Sequence, residues 1–251
     1  EGGKREEEEL DRMLVEARAR SEWAPVVVGP NCLGICSKPG KYDTLFIPEQ
    51  KLARPHGKGK VKNVALICQS GAFMVTRMDG LGSIEPIYAI STGNQLDLSL
   101  TDFAQVVLDD DDVDVLALYI EGFHALGGLR LARLVRQARA GGKEIIVYKA
   151  GRTGEGLTAS SSHTASISSD YRACTEVLGD AGAYIAQSFN EFTALMNLAA
   201  LLHRFKFQGR GLAALSNAGF EAVGMADSLD EKSGFTLPEL APTTQASLRK
   251  V

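Results

Sequence analysis

A parallel α/β fold is predicted by two observations. From Val61 onward, apolar runs that suit strands alternate with stretches of helical periodicity, and strands that alternate with helices imply right-handed crossovers and a parallel sheet covered on both faces. The composition agrees: 26 glycines with only 7% aromatic residues is what strand-to-helix turns close to a ligand require.

The elements follow in order. Glu6 to Arg20 carries Leu10, Met13, Leu14 and Ala17 at i, i+3, i+4 and i+7, so it reads as an amphipathic helix with a charged, solvated face. Ala24 to Val28 reads as a short strand. It ends at Gly29 and runs into the turn-rich segment Pro30 to Gly34, at the kind of strand end where open α/β sheets bind ligands. Ile35 to Lys60, rich in Pro and Gly without a sustained period, reads as a long connection with a domain boundary near Lys60.

Strands are then expected at Val64 to Cys68, Pro86 to Ile90, Val113 to Ile120, Glu144 to Lys149 and Ala183 to Ala186. The helices between and after them are Ala72 to Leu81, Leu98 to Leu108, Leu126 to Ala140, Ile167 to Ala181 and Asn190 to His203. Five such strands suit a flavodoxin-like domain over 61–208. After Gly209 the pattern restarts with strand Leu212 to Leu215, helix Phe220 to Leu229, strand Gly234 to Leu237 and a last helix around Thr243 to Val251. Two strands cannot bury both faces of a parallel sheet, so the chain is expected to be a piece of a larger arrangement, beginning with the last helix and strand of one unit and stopping early in another.

Charge and cysteine content narrow the chemistry. Lys and Arg number 27 against 31 Asp and Glu, a net charge of -4, so no global basic field exists for nucleic acid or an anionic membrane. No apolar run approaches the roughly 20 residues of a membrane-spanning helix, which points to the cytoplasm. Cys32, Cys36, Cys68 and Cys174 are scattered without histidine at ligand spacing, so neither a disulfide framework nor a zinc site is expected, and no other metal ligand set is visible. A P-loop and a complete G-x-G-x-x-G after a strand are both missing.

Several strand ends carry groups able to do chemistry. Gln69, Ser70, Gly71 and Ala72 sit where a strand turns into a helix. Such a turn is either a plain N-cap or, through its outward amides and the helix dipole, an anion site. Glu121 follows directly after a strand; an acid there caps, stays wet or acts on a ligand. His163 lies in the small polar loop Thr158 to Thr164, where an imidazole can accept a phosphoryl group or move a proton near neutral pH. His56, His124 and His203 read as bland. Ser91 to Asn94 with Asp97 follows the second strand of the regular pattern and by itself signals a turn.

Taken together, Gly29 to Gly34 (Gly-Pro-Asn-Cys-Leu-Gly), Gln69 to Ala72, Ser91 to Asn94 with Asp97, Tyr119 to Gly122, Lys149 to Arg152 and Ser162-His163-Thr164 resemble the ADP-forming acyl-CoA synthetases of the succinyl-CoA synthetase superfamily. Order and spacing agree from about Gly29 to Gly219. The resemblance implies a CoA-binding Rossmann domain followed by two flavodoxin-like CoA-ligase domains, with an ATP-grasp unit elsewhere in the polypeptide or in a beta-type partner subunit. On that basis residues 1–40 are the end of the Rossmann domain, 41–60 a connection, 61–208 the first CoA-ligase domain and 209–251 the start of the second.

The same resemblance implies the site. His163 matches the histidine that takes the phosphoryl group of an acyl phosphate and hands it to ADP, and Glu121 matches the carboxylate that orients it. Ser70, Gly71 and Ala72 match the phosphate-binding helix start, while Asn31 and Cys32, with Gly93 and Asn94, match the CoA and acyl positions. Arg152 adds positive charge near the histidine loop. CoA, acyl-CoA or acyl phosphate, inorganic phosphate, and ATP or ADP with Mg2+ are the implied ligands, the nucleotide and metal being held outside this chain, and an oligomer is implied. Where family members commonly carry glycine after Ser-His-Thr and again further on, this sequence has Ala165 and Ser168-Ser169, a less permissive loop, and the turn at Asn217 to Phe220 lacks the usual extra Gly-Pro.

Two other classes stand beside this one. One is a non-catalytic CoA-sensing module of the kind fused to some protein acetyltransferases, against which the retained His163 argues. The other is a receiver-like domain, which needs acids at strand carboxyl ends, whereas the run Asp109 to Asp112 precedes its strand.

Overall fold

A computed structural model of the chain describes residues 2–51, 61–163, 170–229 and 231–250. They form two compact units, Glu1–His203 and Arg204–Val251. In the first, helix α1 (Gly2–Arg20) precedes a short hairpin of β1 (Ile35–Ser37) and β2 (Tyr42–Asp43). The regular part follows as β3 (Val64–Cys68), α2 (Gly71–Gly80), β4 (Tyr88–Ser91), α3 (Leu100–Leu108), β5 (Val115–Ile120), α4 (Gly127–Ala140), β6 (Glu144–Lys149), α5 (Gly154–His163), α6 (Tyr171–Asp180), β7 (Tyr184–Ile185) and α7 (Phe189–Leu202).

The seven strands make one sheet in the order β2-β1-β4-β3-β5-β6-β7. From β4 to β7 all neighbours are parallel. Numbered among themselves, these five strands run 2-1-3-4-5, the flavodoxin-like winding. Their sequences explain the arrangement. β3 and β5 are buried at every position, and their residues divide by parity: Val115, Ala117 and Tyr119 face a core with Phe73, Met74, Phe192 and Met196 of α2 and α7. Leu116, Leu118 and Ile120 face a second core with Leu100, Ala104, Leu131, Val135 and Leu178 of α3, α4 and α6. The result is three layers, as predicted. Phe192 is fully buried, and truncating such a ring to Ala costs roughly 3–5 kcal/mol.

The starts of α3, α6 and α7 are set by side chains. Ser99 and Asp102 form a reciprocal capping box on α3, Asp170 accepts from the Ala173 amide at the start of α6, and Ser188 accepts from Glu191 at the start of α7.

Three expectations for the first unit differ from the structure. Ala24 to Val28 forms no strand: Val26 is mostly exposed, and beside side-chain ties the segment has the backbone hydrogen bond from Leu98 N to Val27 O, 3.2 Å, too little to make a ladder. The connection after Gly34 contains the β1–β2 hairpin, which pairs antiparallel with β4 and so carries the sheet across the expected boundary near Lys60; strands of three and two residues are too short to show a period. The polar stretch from Thr158 is helical, as the second half of α5, whose first turn is fastened by Thr153 accepting from Gly156 N at 3.0 Å. Residues 52–60, with His56, and 164–169, with Thr164, Ala165 and Ser168-Ser169, lie outside the described residues.

In the second unit, the expected strands Leu212 to Leu215 and Gly234 to Leu237 reduce to a single parallel bridge, Gly211 to Thr236. Helices α8 (Gly219–Asp227) and α9 (Pro242–Leu248) accompany it, and no described residue of this unit is buried. Two short segments without a third strand have nothing to close a core on. No helix among the described residues of either unit is long and apolar enough to cross a membrane.

Candidate active site

A doubly wound sheet has one place where loops from neighbouring strands diverge to opposite faces, and ligands bind there, beyond the strand carboxyl ends. Here that point lies between β3 and β5, whose ends carry Gln69-Ser70 and Glu121. A cleft of about 320 Å³ opens at this position. It brings together six residues the sequence singled out, Asn31, Cys32, Ser70, Gly71, Ala72 and Glu121, although they come from three separate stretches of chain.

Each is held by identifiable contacts. Ser70 caps α2, its hydroxyl accepting from Phe73 N at 3.3 Å, and the first-turn amides of a helix have no intrahelical acceptors, so this end carries partial positive charge. Gly71 has to be glycine: a Cβ would stand 2.5 Å from Leu33 Cβ, because the loop that presents Asn31 and Cys32 packs directly on the helix start. Leu33 N is anchored by Ser91 Oγ at the end of β4, 3.0 Å. Asn31 takes a left-handed backbone, φ 55°, which asparagine tolerates. Cys32 points its thiol at Val28 O, 3.5 Å.

Glu121 continues the parity of Tyr119 on β5. The Tyr119 ring stacks on Phe73 at 4.1 Å between centroids. Burial, and next the Glu121 carboxylate with which it shares a hydrogen bond, push the Tyr119 phenol well above its ordinary range. Buried Cys68 is likewise held as a thiol by desolvation.

Gly93 and Asn94 do not line the cleft. They form the floor behind it: a Cβ on Gly93 would stand 2.1 Å from Pro30 O, Asn94 N donates to Pro30 O at 2.9 Å, and the Asn94 side chain donates to Glu7 on α1. Arg152 lines a different hollow with Thr153, Asp170 and Tyr171. His163 is the last residue of α5; its side chain is outside the described ones. Among the described residues no cluster of three His, Cys, Asp or Glu suits a metal ion.

Sequence reasoning missed Phe46 and Ile47, which with Leu33 make the apolar wall of the cleft and carry no signal beyond being apolar. Gln69, which lines the cleft, and Lys149 behind Glu121 fall inside the sequence motifs without a role of their own there; their signal is a buried polar group at a strand end, where an amide or ammonium must find partners. Lys149 Nζ donates to Glu121 O at 2.8 Å and Ala150 O at 2.7 Å.

A five-stranded doubly wound core with a cleft at its switch point defines an α/β domain of flavodoxin type. The chain belongs to the family of succinyl-CoA ligase like flavodoxin domains, which matches residues 61–199. Relatives include the ADP-forming acetate–CoA ligase I of Archaeoglobus fulgidus, 32% identical over 227 residues, 88% of this chain and 30% of that protein. The alpha subunit of ADP-forming acetate–CoA ligase II of Pyrococcus furiosus is 30% identical over 254 residues, 99% of this chain and 50% of that one. Among solved structures, the dinucleotide forming acetyl-coenzyme A synthetase 1 of Ca. Korarchaeum cryptofilum, in complex with phosphate and ADP, superposes with a TM-score of 0.73 at 25% identity, covering 97% of this chain and 50% of its own. This chain thus spans half or less of the length of these proteins.

Proposed function

We propose that the chain is the CoA-ligase portion of an ADP-forming acyl-CoA synthetase, interconverting acyl-CoA, phosphate and ADP with carboxylic acid, CoA and ATP through phosphohistidine. The observation that carries this reading is the meeting of the Asn31–Cys32 loop, the start of α2 and Glu121 around one cleft, in a chain whose relatives are ADP-forming acetate–CoA ligases.

A phosphate oxygen attacks the thioester carbonyl beside Asn31 and Cys32, and the CoA thiolate leaves, giving acyl phosphate. An imidazole nitrogen of His163 attacks phosphorus and the carboxylate leaves. A β-phosphate oxygen of ADP then attacks the same phosphorus and the imidazole leaves, giving ATP. Glu121 holds the proton on the far ring nitrogen, so the near one stays nucleophilic, and the helix start at Ser70 to Ala72 stabilises the phosphoryl charge. The ADP with its Mg2+ is bound by an ATP-grasp unit or beta-type subunit outside this chain, in an oligomer in the cytoplasm. In the same reading residues 1–40 end a CoA-binding Rossmann domain while lending β1 to the neighbouring sheet, 41–60 connect, 61–208 are the first CoA-ligase domain and 209–251 begin the second. Gly93 and Asn94 act on the acyl site from behind, by fixing the Asn31 loop.

The test is phosphorylation of His163. The full-length protein with its nucleotide-binding part is incubated with Mg-ATP, and intact mass with phosphorus NMR reads one acid-labile phosphoryl group, missing in His163→Ala. A wild-type protein that binds ATP and gains no phosphoryl group overturns the reading in favour of a CoA-sensing module.

A further inference from the structure

The backbone that delivers Glu121 to the cleft is held by a side chain from another strand. Gln69, 3% exposed, stands one residue past β3. Its Oε1 accepts from both Glu121 N and Gly122 N, the latter at 3.0 Å, and its Nε2 donates to Gly122 O at 2.7 Å. Two converging amides fix which end of the carboxamide is oxygen, because a reversed amide would set N–H against N–H. On the other side, the carbonyl of Glu121 accepts from Lys149 Nζ. Both peptide planes that flank Glu121 are therefore held by side chains at the end of β5, the first of them also by the backbone bond from Ala150 N to Ile120 O at 2.8 Å. The Glu121 carboxylate is in turn engaged by the Tyr119 hydroxyl.

We propose that Gln69 is a positioning residue for Glu121, its carboxamide fixing the Glu121–Gly122 backbone so that the carboxylate faces the cleft. The inference rests on the role proposed above for Glu121 and His163. It differs from a packing role in one respect: everything Gln69 contributes to the reaction passes through Glu121. A buried amide pair left without its acceptor would also destabilise the fold, so loss of stability alone decides nothing.

The decisive experiment is a double-mutant cycle in the intact enzyme with its nucleotide-binding part, reading the single-turnover rate of phosphoryl transfer from Mg-ATP to His163. The proteins are wild type, Gln69→Met, Glu121→Gln and the double variant. Gln69→Met keeps length and removes all three hydrogen bonds. Positional errors of about 1 Å slow catalysis by up to about 100-fold, so Gln69→Met is expected to be slowed roughly 10- to 100-fold with ATP binding unchanged, and the double variant to be no slower than Glu121→Gln within about twofold. Multiplying effects, or a Gln69→Met enzyme at the wild-type rate, would overturn the positioning role while leaving the phosphohistidine reading intact. A wild-type enzyme that takes no phosphoryl group overturns both. If Gln69→Met does not fold, Gln69→Glu takes its place in the cycle: it keeps an oxygen for the two amides but turns a second one on Gly122 O, and the same non-additivity is required.

Discussion

Arg18 on α1 and Asp97 beyond β4 lie 79 residues apart in sequence and face each other end to end, Nη1 to Oδ1 at 2.9 Å and Nη2 to Oδ2 at 2.6 Å. The same carboxylate accepts from Val27 N at 2.9 Å. One acid thereby fastens the helix and the Pro25–Val28 segment to the loop under the Asn31 turn, beside the Asn94–Glu7 contact and the backbone bond from Leu98 N to Val27 O.

The pairing carries a pH dependence. The Arg18 hydrogen bonds, against the opposing effect of burial, hold the Asp97 carboxyl below its ordinary 3.8. A carboxylate whose folded pKa is depressed contributes stability that is fully present above the unfolded value and fades as pH falls through the folded one. Urea denaturation between pH 7 and pH 2.5 should show Asp97→Asn less stable than wild type near neutrality, with the gap closing below about pH 3.8. A gap that stays constant across that range would mean the charge is not what Asp97 contributes.

Two glycines should respond oppositely to alanine. Gly93 has φ 58°, and an added Cβ would meet Pro30 O at 2.1 Å. Backbone strain of this kind costs of order 1–3 kcal/mol before the clash is counted, so Gly93→Ala should lower the thermal midpoint clearly and disturb the Asn31 turn. Gly80, at the exposed end of α2, would place a Cβ in open space; Gly80→Ala should gain about 0.5–1 kcal/mol through the unfolded chain. Differential scanning calorimetry of the pair checks both signs.

Lys149 gives a second pH signature. Burial pulls its ammonium below the free value of 10.5, more than the nearby Cys174 and Glu121 restore. Between that depressed pKa and 10.5 the unfolded chain holds a proton the folded one has released, so stability gains from this group as pH rises through the window. Lys149→Met, which strips the donor from Glu121 O and Ala150 O, should remove that gain. The comparison is the difference in unfolding free energy between variant and wild type from pH 7 to 10.5, which should widen in favour of the wild type; a flat difference would show that the amine titrates normally.

How far the sequence reaches depends on where each partner lies. Val64–Cys68 and Glu144–Lys149 are legible to the residue because each is a buried apolar run bounded by turns. Ile35–Ser37 is invisible because what makes it a strand is Ile90, Ala89 and Tyr88 across the sheet; Ala24 to Val28 misleads for the converse reason, β-type residues with no ladder to join. The cleft is legible in Ser70, Gly71 and Glu121, since strand ends at a switch point follow from order alone. Gln69 and Lys149 reach partners 53 and 28 residues away, and Gly93 looks like a ligand turn until Pro30 is found against it.

Ser70 separates capping from anion binding at the start of α2. Its hydroxyl accepts from Phe73 N, so Ser70→Ala should cost about 1 kcal/mol as a lost cap and leave the amides of the first turn able to meet a phosphoryl group. Aspartate caps as well as serine, and its charge sits favourably on the helix dipole; Ser70→Asp should fold with wild-type stability or slightly above. The same carboxylate, however, occupies the electrostatic position a phosphoryl group needs, so inorganic phosphate binding by calorimetry and phosphoryl transfer to His163 should both collapse in Ser70→Asp while only weakening in Ser70→Ala. The opposite order of the two variants in stability and in anion affinity is what a phosphate site at a helix start requires. If Ser70→Asp binds phosphate like the wild type, the turn is a plain N-cap and the phosphoryl group must be held elsewhere.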